Sequence, residues 1–268
     1  MRIAFLGGGN MATALIGGLV SKGADARSIS VIEVSPAARE RLGARFPVHI
    51  ATAPDAALAR SDVLVIAVKP QDAKAALASV SVHQHLVISI AAGLTLDSLS
   101  RWLGGHRKLV RCMPNTPALI GAGISGLYAL PEVSREDRDK AERILGAAGE
   151  VVWVPEERLL DVVTAVSGSG PAYVFWFMEQ LAAAAEKLGL EQQAAMKLAL
   201  HTMLGAAKLA ASSSESPATL RKNVTSKGGT TEAALNVFEQ EKLAERLLRA
   251  VQAASRRATE LGREQGKD

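Results

Sequence analysis

The chain has little of what marks secreted, membrane or metal-dependent proteins. Its 268 residues include a single cysteine, Cys112, so an internal disulfide framework is excluded and a reducing compartment fits. Cys112 stands in an apolar run, where a buried small hydrophobe is expected rather than a nucleophile. No stretch reaches the roughly 18 uninterrupted apolar residues of a membrane span. The N-terminus opens directly on a strand, without the charged-then-apolar layout of a leader. A cytoplasmic protein with no membrane partner is expected. Net charge is only +4, with Lys and Arg scattered among Asp and Glu, so no nucleic-acid partner is expected either. Of the five histidines, His49, His83, His85, His106 and His201, none stands beside a carboxylate or cysteine at metal-ligand spacing, and no metal is expected. His201, inside an apolar helical pattern, reads as a core residue. No Ser-His-Asp set is evident in the linear motifs.

What is present is a globular composition, 48% hydrophobic and 22% charged, on a length that serves one large or two ordinary domains. Arg2-Ile3-Ala4-Phe5-Leu6 is a short strand, broken at once by Gly7-Gly8-Gly9 and followed by the helical run Leu15-Ile16-Leu19. Gly7-x-Gly9-x-x-Ala12 therefore sits between strand and helix, the context that a dinucleotide fingerprint requires. A second strand, Ile29 to Ile32, ends in Glu33, about where such sites place the acid that binds the adenosine ribose. Further apolar runs at Val63–Val68, Leu86–Ile90, Leu109–Met113 and Val151–Val154 alternate with amphipathic segments, as in a mostly parallel sheet covered on both faces. Polar, Gly or Pro clusters follow them at Lys69-Pro70-Gln71, Ala91-Ala92-Gly93 and Pro114-Asn115-Thr116-Pro117, on the rim where such sheets bind ligands.

After Trp153 the pattern turns helical, and a boundary near Pro155 gives domains 1–155 and 156–268. Pro171 suits the first turn of a long helix reaching Lys187, with Val174, Phe177, Met178, Leu181, Ala185 and Leu188 on one stripe. Phe175 and Trp176 widen that stripe beyond what one small domain buries, which suggests that a second copy of the chain completes the core. The fold class is thus α/β, an N-terminal mostly parallel sheet with an all-helical C-terminal dimerisation domain.

The stretch Val224-Thr225-Ser226-Lys227-Gly228-Gly229-Thr230-Thr231-Glu232 sets hydroxyl side chains and adjacent glycines before a helix beginning near Thr230. Glycine backbone N–H groups and a helix N-terminus converge on small anions. The plainer alternative is a turn whose Ser and Thr residues cap that helix. Reduction of a ketone by nicotinamide needs a proton donor for the developing alkoxide, commonly His, Tyr or Lys. A protonated imine is already electrophilic and passes through no oxyanion. A dinucleotide fold with a Ser/Thr/Gly anion cradle and no obvious strong acid points to C=N reduction in a carboxylate-bearing substrate.

Taken together, the motifs Phe5–Ala12, Ala67-Val68-Lys69-Pro70-Gln71, Met113-Pro114-Asn115-Thr116-Pro117, Ser167-Gly168-Ser169-Gly170-Pro171-Ala172-Tyr173 and the Val224–Leu235 stretch resemble the pyrroline-5-carboxylate reductases over essentially the whole chain. The resemblance implies a Rossmann-type first domain, a second domain interleaved with its partner in a homodimer, and further assembly into a ring of dimers. It implies reduction of 1-pyrroline-5-carboxylate to L-proline by NADPH or NADH. It places the dinucleotide on Leu6, Gly7, Gly8, Gly9, Asn10, Met11, Ser35, Ala67, Val68, Lys69, Pro70, Ala91 and Ala92, with Asn115 near the nicotinamide. Ser226, Gly228, Gly229, Thr230 and Thr231 are implied to hold the substrate, the Thr231 hydroxyl bonding the ring nitrogen. The chain departs from many NADPH-using members at Glu33-Val34-Ser35, since a carboxylate there repels a 2′-phosphate. Ser35 and Arg39 remain available to a phosphate, and the cofactor is open at this point. Two other readings are a β-hydroxyacid dehydrogenase, which needs a lysine that the Ser167–Glu179 segment does not offer, and a nucleotide-sensing dimer without catalysis.

Overall fold

The computed structural model describes residues 1–266, so the last two residues of the expected second domain lie outside the described residues. Eight strands form one sheet: β1 (Ile3–Leu6), β2 (Ile29–Ile32), β3 (His49–Ala51), β4 (Val63–Ile66), β5 (Leu86–Ser89), β6 (Leu109–Met113), β7 (Gly123–Ala129) and β8 (Gly149–Trp153). Their order is β3-β2-β1-β4-β5-β6-β7-β8; all neighbours run parallel except β6 and β7. The first six strands thus reproduce the doubly wound order of dinucleotide-binding sheets. Among the described residues there are twelve α-helices: α1 (Asn10–Ser21), α2 (Pro36–Arg45), α3 (Asp55–Leu58), α4 (Pro70–Leu77), α5 (Leu96–Trp102), α6 (Arg135–Leu145), α7 (Leu159–Val163), α8 (Gly170–Lys187), α9 (Gln192–Ser212), α10 (Pro217–Asn223), α11 (Thr230–Gln240) and α12 (Leu243–Gln265).

The strands read as unbroken apolar runs because both faces are buried. Along β1, Ile3 and Phe5 enter a core with Leu15, Ile16 and Ile144, while Ala4 and Leu6 enter the opposite one with Leu64, Ile66 and Leu77. Each fully buried Leu, Ile or Phe contributes roughly 1.5–3 kcal/mol. Strand β7 begins with one glycine and contains another, because a Cβ on Gly126 would meet Val163 Cγ1 at 2.6 Å and one on Gly123 would meet Ala118 Cα at 2.8 Å.

Contacts divide the chain into two compact units, Met1–Ser169 together with the chain from Ala254, and Gly170–Ala253. The second unit has a core of only Ala182, Ala195 and Ala199 where α8 packs on α9. Its large apolar side chains lie outside: Phe175 is 64% exposed, Trp176 58% and Leu188 88%. His201 also lies exposed on α9. The expected core position fails because this face of the helix has no cover within the chain. Among the described residues, no helix is long and apolar enough to cross a membrane.

Candidate active site

The glycine turn after β1 is built as its spacing suggests. Gly7 has φ +100, and a Cβ there would stand 2.8 Å from the Ala67 carbonyl oxygen, so only glycine fits. Its N–H donates to the Ile32 carbonyl at 2.8 Å, and Ala67 N–H donates to Leu6 O at 2.8 Å, which locks the ends of β1, β2 and β4 into one rim. Gly9 is the N-cap of α1, and no side chain caps that helix. The first amides of α1, from Asn10 and Met11, therefore stand at the helix end without a capping side chain. Ala12 is fully buried beneath the turn.

A cleft of about 720 Å³ opens beside this turn, lined among others by Leu6, Gly7, Gly8, Gly9, Glu33, Ser35, Ala67, Val68 and Lys69. Glu33 is fixed within it: one carboxylate oxygen accepts Gly8 N–H at 2.7 Å and the other Ser35 N–H at 2.8 Å. Ser35 caps α2 by accepting Ala38 N–H, and Arg39 spends Nη1 on the Glu33 and Val34 carbonyls at 3.1 and 2.8 Å. Lys69 caps α4 from the exposed rim, with Pro70 in its first turn. Thr52, Pro54, Asp72 and Ser79 also line the cleft. Sequence reasoning missed Thr52 and Pro54 because they follow β3, a strand of three residues.

Farther along the rim, Ala91 is buried and Ala92 exposed, in the loop between β5 and α5. Asn115 follows β6, is buried, and accepts Ile124 N–H through Oδ1 at 2.9 Å. That bond fixes the amide orientation and leaves its NH₂ as the free end. A π-helical turn, Thr164–Gly168, lies against this segment, and a Cβ on Gly168 would meet Met113 Cε at 2.7 Å. Such turns recur at functional sites. Cys112 is buried, and burial pushes its thiol up to about 12 against a lowering bond from Ser125, so it is no nucleophile at neutral pH.

In the second unit, the Thr225–Thr231 turn has a distinct hydrogen-bond pattern. Gly228 has φ +71 and donates its N–H to Glu232 Oε2 at 2.7 Å, and Gly229 N–H donates to Ser226 O at 3.0 Å. A Cβ on Gly229 would lie 2.5 Å from Ser226 Oγ, so glycine is what admits that hydroxyl. Gly229 is the N-cap of α11, without a capping side chain. Nearby hydroxyls do cap or back-bond: Ser216 caps α10 and Thr225 Oγ1 donates to Arg221 O at 2.7 Å. Among the described residues the hydroxyls of Ser226, Thr230 and Thr231 have no such partner. The capping alternative therefore does not describe them. Glu232, which sequence reasoning passed over, takes the amide of Gly228 and leaves those of Thr230 and Thr231 at the helix end.

Among the described residues no group of three or more His, Cys, Asp or Glu could hold a metal. The features that remain are a cleft beside the glycine turn and a helix N-terminus flanked by hydroxyls.

Comparison with known proteins agrees with both halves. Residues 2–93 match the family described as NADP oxidoreductase, coenzyme F420-dependent, and residues 157–261 match pyrroline-5-carboxylate reductase dimerisation. A pyrroline-5-carboxylate reductase of Pseudomonas aeruginosa is 46% identical over 99% of this chain and 98% of that one. The solved structure of a pyrroline-5-carboxylate reductase from Coxiella burnetii has a TM-score of 0.93 at 41% identity, covering 97% of this chain and 98% of that one. A pyrroline carboxylate reductase of Plasmodium falciparum, solved with NADP bound, has a TM-score of 0.83 at 28% identity, covering 98% of each chain. With identity at this level over nearly the whole of both chains, the chain belongs to the pyrroline-5-carboxylate reductase family.

Proposed function

We propose that the two sites divide the work of reducing the C=N bond of 1-pyrroline-5-carboxylate to L-proline: the rim of the first unit binds NADH or NADPH, and the Ser226–Thr231 turn binds the substrate. The observation that carries this reading is the set of partnerless hydroxyls on Ser226, Thr230 and Thr231 beside an uncapped helix N-terminus. Such a set suits a carboxylate, which accepts several hydrogen bonds and is drawn to the positive helix end. The bound nicotinamide supplies the hydride that adds to the imine carbon. Thr231 orients the ring nitrogen, which enters protonated and keeps that proton while the C=N π electrons become its lone pair, so no further proton is required in that step. Thr230 N–H, Thr231 N–H and the Ser226 hydroxyl hold the carboxylate. The Gly228 and Gly229 amides shape the turn through Glu232 and Ser226 O.

On the rim, Gly9, Asn10 and Met11 take the pyrophosphate, Glu33 takes the adenosine ribose, and Ala67 to Pro70, Ala91, Ala92 and Asn115 line the path to the nicotinamide. The open apolar faces of α8 and α9 are covered by a second copy of the chain, interleaved as a homodimer and able to build into a ring. The cytoplasm, where reduced nicotinamides are kept available, is the compartment for this chemistry. The test is direct. Purified protein is mixed with 1-pyrroline-5-carboxylate and NADH or NADPH, and nicotinamide absorbance is followed; no loss of absorbance with either cofactor would end the reading.

A further inference from the structure

Two glycines far apart in the sequence touch within the first unit. Gly93, at φ +80, lies in the loop that carries Ala91 and Ala92, and Gly262 lies near the end of α12. A Cβ on Gly262 would stand 2.9 Å from the Gly93 carbonyl oxygen, and one on Gly93 would stand 2.7 Å from Gln265 Oε1. That Gln265 oxygen is buried and has no hydrogen-bond partner among the described residues, a cost accepted for the contact. Helix and loop thus meet backbone to backbone.

The same loop is gripped again at its far end. Leu96 N–H donates to Glu157 Oε1 at 2.8 Å, and Arg111 Nη1 donates to the same oxygen at 3.0 Å. Arg111, only 6% exposed, reaches Asp161 Oδ1 at 3.3 Å, and Asp161 Oδ2 accepts the hydroxyl of Thr259 on α12 at 2.8 Å. An ion group of this kind, with Arg111 buried and both carboxylates half-buried, holds its members in one geometry, since loss of a carboxylate strands the guanidinium. Alanines at 91 and 92 offer a ligand only backbone groups and a methyl. They have no reach, so where the loop sits decides what they touch.

We infer that Gly262 and Thr259 are positioning residues for the dinucleotide: the C-terminal helix clamps the loop of residues 91–96 and so sets Ala91 and Ala92 against the cofactor. This rests on the reading of that loop as part of the dinucleotide site. The clamp acts on binding of the cofactor rather than on the imine.

The test uses the full chain and titrates NADH and NADPH by nicotinamide fluorescence, beside steady-state kinetics and thermal unfolding. Gly262→Ala removes a helix-breaking glycine, so helix propensity alone raises the melting temperature. The clamp predicts instead that the dissociation constant for the dinucleotide rises about tenfold, as small misplacements do in preorganised sites, while kcat at saturating cofactor stays near wild type. Thr259→Val should move in the same direction and Thr259→Ser should match wild type; this pair carries the test if Gly262→Ala misfolds. Gly43→Ala, in α2 of the first unit, where a Cβ would make only an ordinary contact with Ile50 Cδ1 at 3.5 Å, serves as the control and should bind normally. Cofactor affinity unchanged in folded Gly262→Ala, or in Thr259→Val should the glycine variant misfold, overturns the assignment alone. A wild-type protein that binds no dinucleotide overturns the reading of the rim, and the assignment with it.

Discussion

The carboxylate of Glu33 accepts the backbone N–H of Gly8 at 2.7 Å, and so stands inside the glycine turn rather than in solvent. Its second oxygen is held by Ser35 N–H, and the nearest guanidinium, Arg39, has Nη1 committed to two carbonyls. If this is where the adenosine ribose binds, as proposed, a fixed negative charge there favours a free 2′-hydroxyl over a 2′-phosphate. We expect the chain to use NADH better than a Glu33→Gln variant does, relative to NADPH, by about 1–2 kcal/mol at this partly solvated site. Steady-state kcat/KM with both cofactors checks it. A ratio unmoved by the substitution would show that Glu33 only shapes the loop.

Stability at low pH should depend on Asp137. Burial pushes its carboxyl up, but hydrogen bonds from Lys140 and Ser134 outweigh that, and the group titrates below the usual range. A lowered folded-state pKa stabilises above the unfolded value of about 4, and the contribution is lost as pH falls through the folded value. Since Asp137 also returns the Ser134 cap of α6, Asp137→Asn should cost about 1 kcal/mol at neutral pH. The difference between the proteins should shrink in urea titrations as pH falls below about 4; a constant gap across pH would contradict the charge-based account.

The second unit should not hold together alone. Phe175 and Trp176 are more than half exposed over a core of three alanines, and burying each in a partner contributes roughly 2–3 kcal/mol. Phe175→Glu with Trp176→Glu is expected to shift sedimentation at micromolar concentration from oligomer toward monomer. The wild-type melting temperature should rise with protein concentration, as it does for linked folding and assembly. A variant that sediments as wild type does would place the interface elsewhere.

The sheet, the glycine turn and the start of α11 at Thr230 could all be read from the residues, because each rests on local signals: β-branched runs, positive-φ glycines and a change of period. Strand β3 could not, since its three residues begin with exposed His49, and the cleft wall at Thr52 and Pro54 went with it. Strand β7 carries Gly123, Ser125 and Gly126, turn-like in composition, and the reason for those glycines is the approach of Ala118 and Val163 from elsewhere in the chain. In the site, the hydroxyl cluster was legible, while the bond from Gly228 N–H to Glu232 was not. It depends on how the turn closes rather than on residue type. His201 misled because an apolar helix face implies burial without saying whose residues do the burying.

Thr231 is where the chemistry can be tested most sharply. Its hydroxyl has no partner among the described residues and it lies in the first turn of α11, so Thr231→Ala leaves no group stranded and gains helix propensity. Folding stability should therefore hold or rise slightly. On the proposed reading, carboxylate contacts from Ser226 and the Thr230 amide would carry ground-state binding, whereas the ring nitrogen changes most in charge and geometry as the C=N bond is reduced. An interaction that strengthens in the transition state appears in kcat as well as in kcat/KM. The Ala variant should lose roughly ten- to a hundredfold in kcat, for a hydrogen bond worth about 1.5–3 kcal/mol. The KM for the dinucleotide should scarcely move, and Thr231→Ser should keep most of the activity. Rates must be normalised to folded, dinucleotide-binding protein; an Ala variant that is as stable as wild type and turns over as fast would remove Thr231 from the mechanism.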